Sequence, residues 1–448
     1  MSETAPSSEQ AEEAAFWWAE SWSRAERCDQ AGPAFHDYLE RFQEGSHRAD
    51  ALATIATCAQ AGGDLTAEIA ALEAFLQHFP TDPRYDVRLS RLAAAYEQHD
   101  QPAKGRELYS QWLLRFPNHP SRPDILTRRG LISQGQQDYA GAAQDFHEVL
   151  RQASDPRHQG LAHAVLAESY LRLDDCAAAL PHLTAIIEQG DSSTRHQARL
   201  QRGTCAYRNK AFAAAVEDFD RLMDDAAFQG DRQSLLLMLG QSLTAINRDS
   251  EATVRFREFL AIAPADQGAA QALAGLGASL LKLGQVDEAL AAYEQLLIVA
   301  PDLPARERLH LQLGLLYRER QAVDRARQHL EAAASGRDES IAAEATYRVA
   351  DLLVAQGSTT EATALLQKLT TQLASQPRWV GMASYRLALL YEASELWPEA
   401  WKAYLTTATT ATDAKLVEAA RERAQYLEET VDVHARREPA APPIEHNL

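Results

Sequence analysis

Residues 276–301 read LGASLLKLGQVDEALAAYEQLLIVAP, and in this stretch Gly277 is followed at fixed distances by four residues of defined character. An apolar residue comes 3 positions later, a second small residue 12 later, an aromatic residue 16 later and a proline 24 later: Leu280, Ala289, Tyr293 and Pro301. Apolar residues three and four apart predict two amphipathic helices, separated by the turn-forming segment LGQVD. The stretch is therefore expected to form one helical hairpin.

The same spacing recurs along most of the chain. The small residue that opens the second helix returns at steps of 36 to 38 residues from Gly105 to Ala400. Two weaker copies precede these, one around Glu68 and one around Ala34 and Tyr38. A period held this steadily indicates internal repeats. The residues expected to pack the paired helices together are Gly130, Ala142, Phe146, Gly203, Ala215, Phe219, Gly240, Ala252, Phe256, Gly277, Ala289, Tyr293, Gly314, Ala326, Ala400 and Tyr404.

The repeated spacing has a physical meaning. Small residues where two helices cross let them approach closely, an aromatic ring fills the space beside them, and a proline ends the second helix. A single hairpin leaves part of its apolar surface uncovered. Neighbouring hairpins must therefore stack, which is the arrangement of solenoid proteins.

This frame resembles the tetratricopeptide repeat (TPR), a helix–turn–helix unit of about 34 residues. The residues that carry the resemblance are Leu276, Gly277, Leu280, Ala289, Tyr293 and Pro301. The resemblance implies an all-α fold: a right-handed α-solenoid, or superhelix, of about eleven TPR-like hairpins with a C-terminal capping helix. The copies are about three residues longer than the family unit, and FLQHFPTDPRYDVRLSRLAAAYEQ resembles the longer repeats of bacterial envelope proteins, including the Tol-Pal coordinator and the outer-membrane assembly lipoprotein.

Composition changes at both ends of the repeats predict four segments. Residues 1–13 are rich in Ser, Glu and Ala and are expected to be disordered. A continuous TPR-like array is expected over 14–410 and a capping helix over 411–430, where Leu and Ala residues line one face of a charged helix. Residues 431–448 have the proline and charge content of a flexible tail.

Charge excludes several classes of partner. The chain has 44 basic and 63 acidic residues, a net charge of -19. Nucleic acids and anionic membrane surfaces are bound mainly through Lys and Arg, so neither is an expected partner. The N-terminal segment is acidic and has no long apolar run, which predicts neither a signal peptide nor membrane insertion. We therefore expect a cytoplasmic protein, or a periplasmic one only if this N-terminus is incomplete.

The sequence contains no pattern that indicates catalysis or metal binding. HExxH, GxSxG and GxxxxGK motifs are absent. Cys28, Cys58, Cys176 and Cys205 are separated by 30, 118 and 29 residues and form no CxxC pair. We expect them to be reduced residues that pack in the core. The sequence predicts no enzymatic activity, no cofactor and no metal site.

The family resemblance implies that the first helix of each hairpin lines a concave inner wall. The register then selects Glu168, Leu171, Arg172, Leu200, Tyr207, Arg208, Leu237, Leu281, Lys282, Arg308, Leu311, Arg318, Tyr347 and Tyr385 as groove residues. Leucines and tyrosines among charged residues are typical of a groove that binds a protein segment. Alternatively, the apolar members of this set cover seams between repeats.

Residues 301–337 contain seven arginines and five acidic residues, a basic island in an acidic chain. We hypothesise that Arg308 and Arg318 contact an acidic segment of a partner. The predicted function is a non-enzymatic scaffold or adaptor that binds a protein segment in its concave groove. Two alternatives remain: a regulatory or substrate-recruiting subunit of an enzyme complex, and an architectural subunit that self-associates through array ends such as the region of Trp17 and Trp18.

Overall fold

The computed structural model describes residues 8–152, 154–263, 268–431 and Val433. These residues form 23 α-helices and no β-strand. Consecutive helices pack in eleven hairpins, and the last helix packs against the final hairpin. The prediction of an all-α fold built from about eleven hairpins and a terminal helix is confirmed. Residues 1–7, 432 and 434–448, which fall in the predicted disordered start and flexible tail, lie outside the described residues.

The first compact unit ends at Gly230 and contains six hairpins. Its helices are α1 (Ser8–Arg24), α2 (Cys28–Arg41), α3 (Arg48–Gly62), α4 (Leu65–His78), α5 (Tyr85–Gln98), α6 (Pro102–Arg115), α7 (Arg122–Gly135), α8 (Tyr139–Gln152), α9 (Pro156–Arg172), α10 (Cys176–Gln189), α11 (Ser192–Arg208) and α12 (Phe212–Met223). Because α1 begins at Ser8, the prediction of disorder is wrong for residues 8–13, whose alanines and glutamates favour a helix.

The second compact unit begins at Asp231 and contains five hairpins and the terminal helix. Its helices are α13 (Arg232–Ala245), α14 (Asp249–Ile262), α15 (Ala269–Lys282), α16 (Val286–Val299), α17 (Arg306–Glu319), α18 (Val323–Ala334), α19 (Glu339–Ala355), α20 (Thr359–Gln372), α21 (Pro377–Ala393), α22 (Trp397–Thr410) and α23 (Ala414–Thr430). Helix α23 contacts α21 and α22. It therefore covers the end of the last hairpin.

Every hairpin turns through one residue in the left-handed conformation. In each turn the next residue donates its backbone N–H to the carbonyl oxygen five residues earlier, at 2.8–2.9 Å, which closes the end of the first helix. The left-handed residues are Glu26, Gly63, Asp100, Gln137, Asp174, Lys210, Asn247, Gly284, Gln321, Gly357 and Glu395. A turn that reverses the chain therefore recurs once in every repeat.

Glycine should improve a turn that now has a side chain in the left-handed conformation. Gln321 has a φ of 57° and Gly284, at the same repeat position, a φ of 74°. Because a side chain disfavours this conformation, we expect Gln321→Gly to raise the free energy of unfolding by about 0.5–1 kcal/mol. The reciprocal Gly284→Gln should lower it by about 1 kcal/mol. Thermal denaturation of both variants checks this, and a Gln321→Gly protein that melts no higher than the wild type would contradict it.

The two helices of a hairpin meet where a small residue faces a large one. A Cβ atom on Gly277 would lie 2.5 Å from the ring of Tyr293, and one on Gly240 would lie 2.7 Å from the ring of Phe256. No side chain fits at such distances. All sixteen residues predicted to pack the repeats are buried. This close packing fixes each first helix against the second helix of its hairpin. The exposed faces of the first helices therefore recur regularly within each unit.

The frame of the first hairpin differs from the prediction. Its packing pair is Ala31 and Phe35, both 0% exposed, and not Ala34 and Tyr38. Ala31 lies five residues after the left-handed Glu26, which is the offset found in the other hairpins. The prediction was wrong by three residues because Ala34 and Tyr38 are also buried, so the first hairpin offers two pairs of similar composition one helical turn apart.

The cysteines form two disulfides, Cys28–Cys58 and Cys176–Cys205, with Cα–Cα distances of 5.1 and 5.4 Å. The prediction that they are reduced is therefore wrong. Each bond joins the first residue of a second helix to the first helix of the next hairpin, α2 to α3 and α10 to α11. The nearly equal separations of 30 and 29 residues were the overlooked signal, because they place both pairs at the same repeat positions.

Candidate functional site

The fourteen predicted groove residues all lie on the first helices of their hairpins, from α9 to α21. Each is half-buried or exposed, whereas the packing residues of the same helices are buried. In the first unit these residues belong to α9 and α11, and in the second unit to α13, α15, α17, α19 and α21. Each unit therefore presents its own wall of first helices.

A cavity of about 420 Å³ lies on the wall of the first unit. Glu168, Leu171 and Arg172 of α9 line it, together with residues of α10 and α11. Within the cavity, the carboxylate of Glu168 lies 3.7 Å from the guanidinium of Arg172. The cavity is lined by apolar and polar residues alike, and its two opposite charges already neutralise each other.

A larger cavity of about 750 Å³ lies on the wall of the second unit, and we call it the C-terminal pocket. Its lining residues include Tyr347 of α19, Arg378, Met382, Tyr385, Arg386 and Leu389 of α21, and Asp413 and Leu416 beside and within α23. Only Tyr347 and Tyr385 were predicted. Met382 and Leu389 could have been found, because they lie six residues before and one residue after Ala388, offsets that mark inner positions in the other repeats. The repeat spacing could not predict that α23 lines the pocket, because α23 follows the last hairpin and is not part of a repeat.

Some of the other apolar groove residues cover seams within a unit. A Cβ atom on Gly268 would lie 3.1 Å from Cδ2 of Leu237, so Leu237 packs against the start of the next hairpin. The ring of Tyr207 lies 5.9 Å from that of Phe212 in its own hairpin. For Leu237, the packing therefore agrees with the alternative interpretation, in which apolar residues of the wall cover the seams between repeats.

The predicted groove cations fall into two groups. Three of them already form ion pairs with acidic residues on the same unit. These pairs are Arg172 with Glu168 at 3.7 Å, Arg208 with Asp174, and Lys282 with Asp249 at 3.4 Å. Because their charge is compensated, these cations are poor anchors for a partner.

Arg308 and Arg318 form the second group. Neither side chain makes a hydrogen bond or an ion pair with any residue that the structure describes. Arg308 is exposed and Arg318 is half-buried. Three other arginines of the same hairpin, Arg320, Arg325 and Arg327, each contact a carboxylate. Carboxylates of the described residues therefore neutralise only part of the basic island.

In two hairpins, at equivalent positions, a half-buried histidine of the first helix faces a buried histidine of the second helix. Nδ1 of His163 lies 3.0 Å from Nδ1 of His182 in the first unit, and the same distance separates His310 and His329 in the second. Burial, followed by the neighbouring histidines His163 and His147, lowers the pKa of His182 to about 4. Burial, with smaller effects of His329 and Arg306, likewise lowers the pKa of His310 to about 4.

These histidine pairs predict acid sensitivity. Burial lowers the pKa of all four rings in the folded chain. They therefore stay neutral at a pH where the unfolded chain, with an ordinary histidine pKa of about 6.5, takes up protons. The free energy of unfolding should therefore fall as the pH decreases from about 6.5 towards 4. Melting temperatures across this range check the prediction, with the double variant His182→Gln and His329→Gln as the comparison. A wild-type melting temperature that is flat between pH 7 and pH 5 would contradict it.

Comparisons with known proteins agree with the helical architecture. The tetratricopeptide repeat family model matches residues 165–231, 274–340 and 311–377. Comparison with curated proteins gave no match. No helix within the described ranges combines the length and the apolar character needed to cross a bilayer. The match to the family model therefore supports the tetratricopeptide repeat. The resemblance to the longer repeats of bacterial envelope proteins stays a prediction.

Solved structures that match this chain in structural comparison include three proteins of low sequence identity. A tetratricopeptide repeat protein from Parabacteroides merdae is 16% identical, with a TM-score of 0.34 over 60% of this chain and 99% of that chain. Naa15/Naa10 bound to HypK-THB is 15% identical, with a TM-score of 0.43 over 97% of this chain and 70% of that one. The C-terminal part of a TPR repeat-containing protein from Cytophaga hutchinsonii is 15% identical, with a TM-score of 0.38 over 54% and 93%.

Proposed function

We propose that this chain, which belongs to the tetratricopeptide repeat family, is a non-enzymatic scaffold that binds an acidic segment of a partner protein on the wall of its second unit. The observation that carries the proposal is the state of Arg308 and Arg318. They are the predicted groove cations without a carboxylate partner among the described residues. A guanidinium that is not neutralised by its own chain favours a carboxylate from another.

The arrangement of α17 supports binding of an extended or helical segment. Arg308, Leu311, Leu315 and Arg318 recur at intervals of three or four residues and therefore share one broad face of the helix. Both leucines are half-buried, so they offer apolar surface between the two cations. Since the helix is already ordered by its hairpin, binding requires ordering of the partner segment alone, which lowers the entropic cost.

Charge reversal at these two arginines tests the proposal. We expect the double variant Arg308→Glu and Arg318→Glu to lose at least one protein that the wild type retains from a native lysate, as identified by mass spectrometry. A control with the same change in net charge is Arg337→Glu with Lys368→Glu, at exposed residues outside the first helices. The control should retain that protein. Identical sets of bound proteins for wild type and the groove variant would refute the proposal.

The disulfides bear on the compartment. Disulfides persist mainly in oxidising surroundings, such as the periplasm or the extracellular space, and are rare in the cytosol. Both pairs join successive hairpins at equivalent positions. We therefore propose that the scaffold works in an oxidising compartment rather than in the cytoplasm. Thiol labelling of the protein from its native source should find no free cysteine; four labelled thiols would support a reducing compartment.

Self-association is a second candidate role, favoured by the first helix. Trp17 and Trp18 are 51% and 58% exposed, which is unusual for residues of this size. Trp17 is also covered on one side by the guanidinium of Arg24, 5.4 Å from its ring. If this face joins two copies, Trp18→Ser should abolish concentration-dependent association in analytical ultracentrifugation. A wild-type protein that stays monomeric would refute this role.

A further inference from the structure

The C-terminal pocket differs from the rest of the wall because three helices line it, namely the first helices α19 and α21 and the terminal helix α23. Tyr347 comes from α19, Met382, Tyr385 and Leu389 come from α21, and Leu416 comes from α23. A volume of about 750 Å³ is in the range of sites that enclose a ligand group. The apolar walls therefore suit one or two large side chains of a bound segment.

One of the two guanidinium groups that line the pocket, that of Arg378, has no anionic partner among the described residues. Arg378 makes no ion pair with any described residue, and its guanidinium lies 5.1 Å from the ring of Trp379. Arg386 donates from one terminal nitrogen to Asp351 at 3.1 Å, but its buried Nε has no partner. A buried donor without an acceptor is unfavourable. An incoming carboxylate can reach the exposed guanidinium of Arg378.

The single carboxylate lining the pocket is already engaged. Oδ1 of Asp413 accepts the backbone N–H groups of Lys415 and Leu416 at 2.8 and 3.3 Å, which caps the start of α23. Asp413 is therefore held in its cap and does not pair with Arg378. Arg378 is thus the lining cation that no described carboxylate contacts.

The two tyrosines are held in place by ring contacts while their hydroxyl groups stay available. The ring of Tyr385 lies 5.6 Å from that of Tyr404, and the ring of Tyr347 lies 5.7 Å from that of Trp379. Neither hydroxyl forms a hydrogen bond with a residue that the structure describes. Rigid aromatic walls with free donors favour an aromatic or large aliphatic side chain next to an acceptor.

The pocket continues the wall that carries Arg308 and Arg318. Helix α17 contacts α19, α19 contacts α21, and α21 contacts α23. Two helix spacings of about 10 Å separate α17 from α21, which an extended chain of about six residues spans. One linear segment can therefore reach both places.

We propose that the C-terminal pocket anchors an aromatic or large aliphatic residue of an acidic linear segment, with a neighbouring carboxylate bound by Arg378. The charge complementarity of the unpaired guanidinium of Arg378 selects this occupant over a basic or neutral segment. The inference rests on the proposed function, because it names the chemistry of the segment bound by the same wall.

The test uses a phage-displayed library of random twelve-residue peptides selected on the full chain. We expect enriched peptides to combine Phe, Trp, Tyr or Leu with Asp or Glu. Labelled copies of these peptides, measured by fluorescence anisotropy, should bind Arg378→Glu and Tyr347→Ala at least about tenfold more weakly. Lys402→Glu, at an exposed residue of α22 that does not line the pocket, should bind within about twofold of wild type. Unchanged melting temperatures ensure that each variant is folded.

The outcomes separate this inference from the proposed function. Peptides that lose affinity on Arg308→Glu with Arg318→Glu, but not on Arg378→Glu or Tyr347→Ala, would overturn the pocket and keep the groove. Enrichment of basic peptides, or of none, would overturn both. Loss of affinity with Lys402→Glu as large as with Arg378→Glu would show a general charge effect and would also overturn the pocket.

Discussion

Replacing Asp218 with Ala is expected to lower the free energy of unfolding of the first unit by about 3–5 kcal/mol. Asp218 is 2% exposed. Its carboxylate accepts hydrogen bonds from Nε and Nη2 of Arg202 at 2.8 and 2.7 Å, and Nε of Arg199 lies 3.9 Å away. Alanine would leave two largely buried guanidinium groups without their carboxylate. An uncompensated buried charge is among the most destabilising changes that a single substitution makes.

Urea denaturation followed by circular dichroism measures this effect. Glu217→Ala is the matched control, because Glu217 is the neighbouring acid but is exposed and paired only at the surface with Arg221; it should cost about 1 kcal/mol or less. Removing both charges, with Arg202→Met and Asp218→Leu, should recover part of the loss. If Asp218→Ala were no worse than Glu217→Ala, the buried ion pair would have no structural role.

Reduction of the two disulfides is expected to lower the free energy of unfolding by about 3–4 kcal/mol for each bond. Each bond closes a loop of about 30 residues, and opening it gives the unfolded chain more conformations. Both bonds lie in the first unit and join α2 to α3 and α10 to α11. The loss should therefore be confined to the first unit.

Thermal denaturation with and without a reducing agent measures the contribution of the disulfides. A variant with all four cysteines replaced by Ser is the control, because its melting should not respond to the reductant. In the unreduced wild type, a thiol assay under denaturing conditions should detect no free thiol. Equal melting of reduced and unreduced wild type would mean that the cysteines do not cross-link the hairpins.

The groove was predictable only in part. The register placed Arg308, Arg318, Tyr347 and Tyr385 on first helices because residues that repeat every 36 to 38 positions occupy equivalent places. It could not tell which cations are free, since a partner such as Asp249 for Lys282 lies in another helix. Which of these residues bind a partner stays a proposal.

Helix positions, hairpin pairing and the repeat period follow from the order of residues along this chain. These features depend on interactions between residues a few positions apart, or on a spacing that returns in every hairpin, so the sequence carries them directly. The disulfides, the Asp218 ion pair and the pocket closed by α23 depend on distances between helices. Such distances are set when the hairpins pack. Packing then gives residues of the same type different neighbours, according to their positions in the repeats.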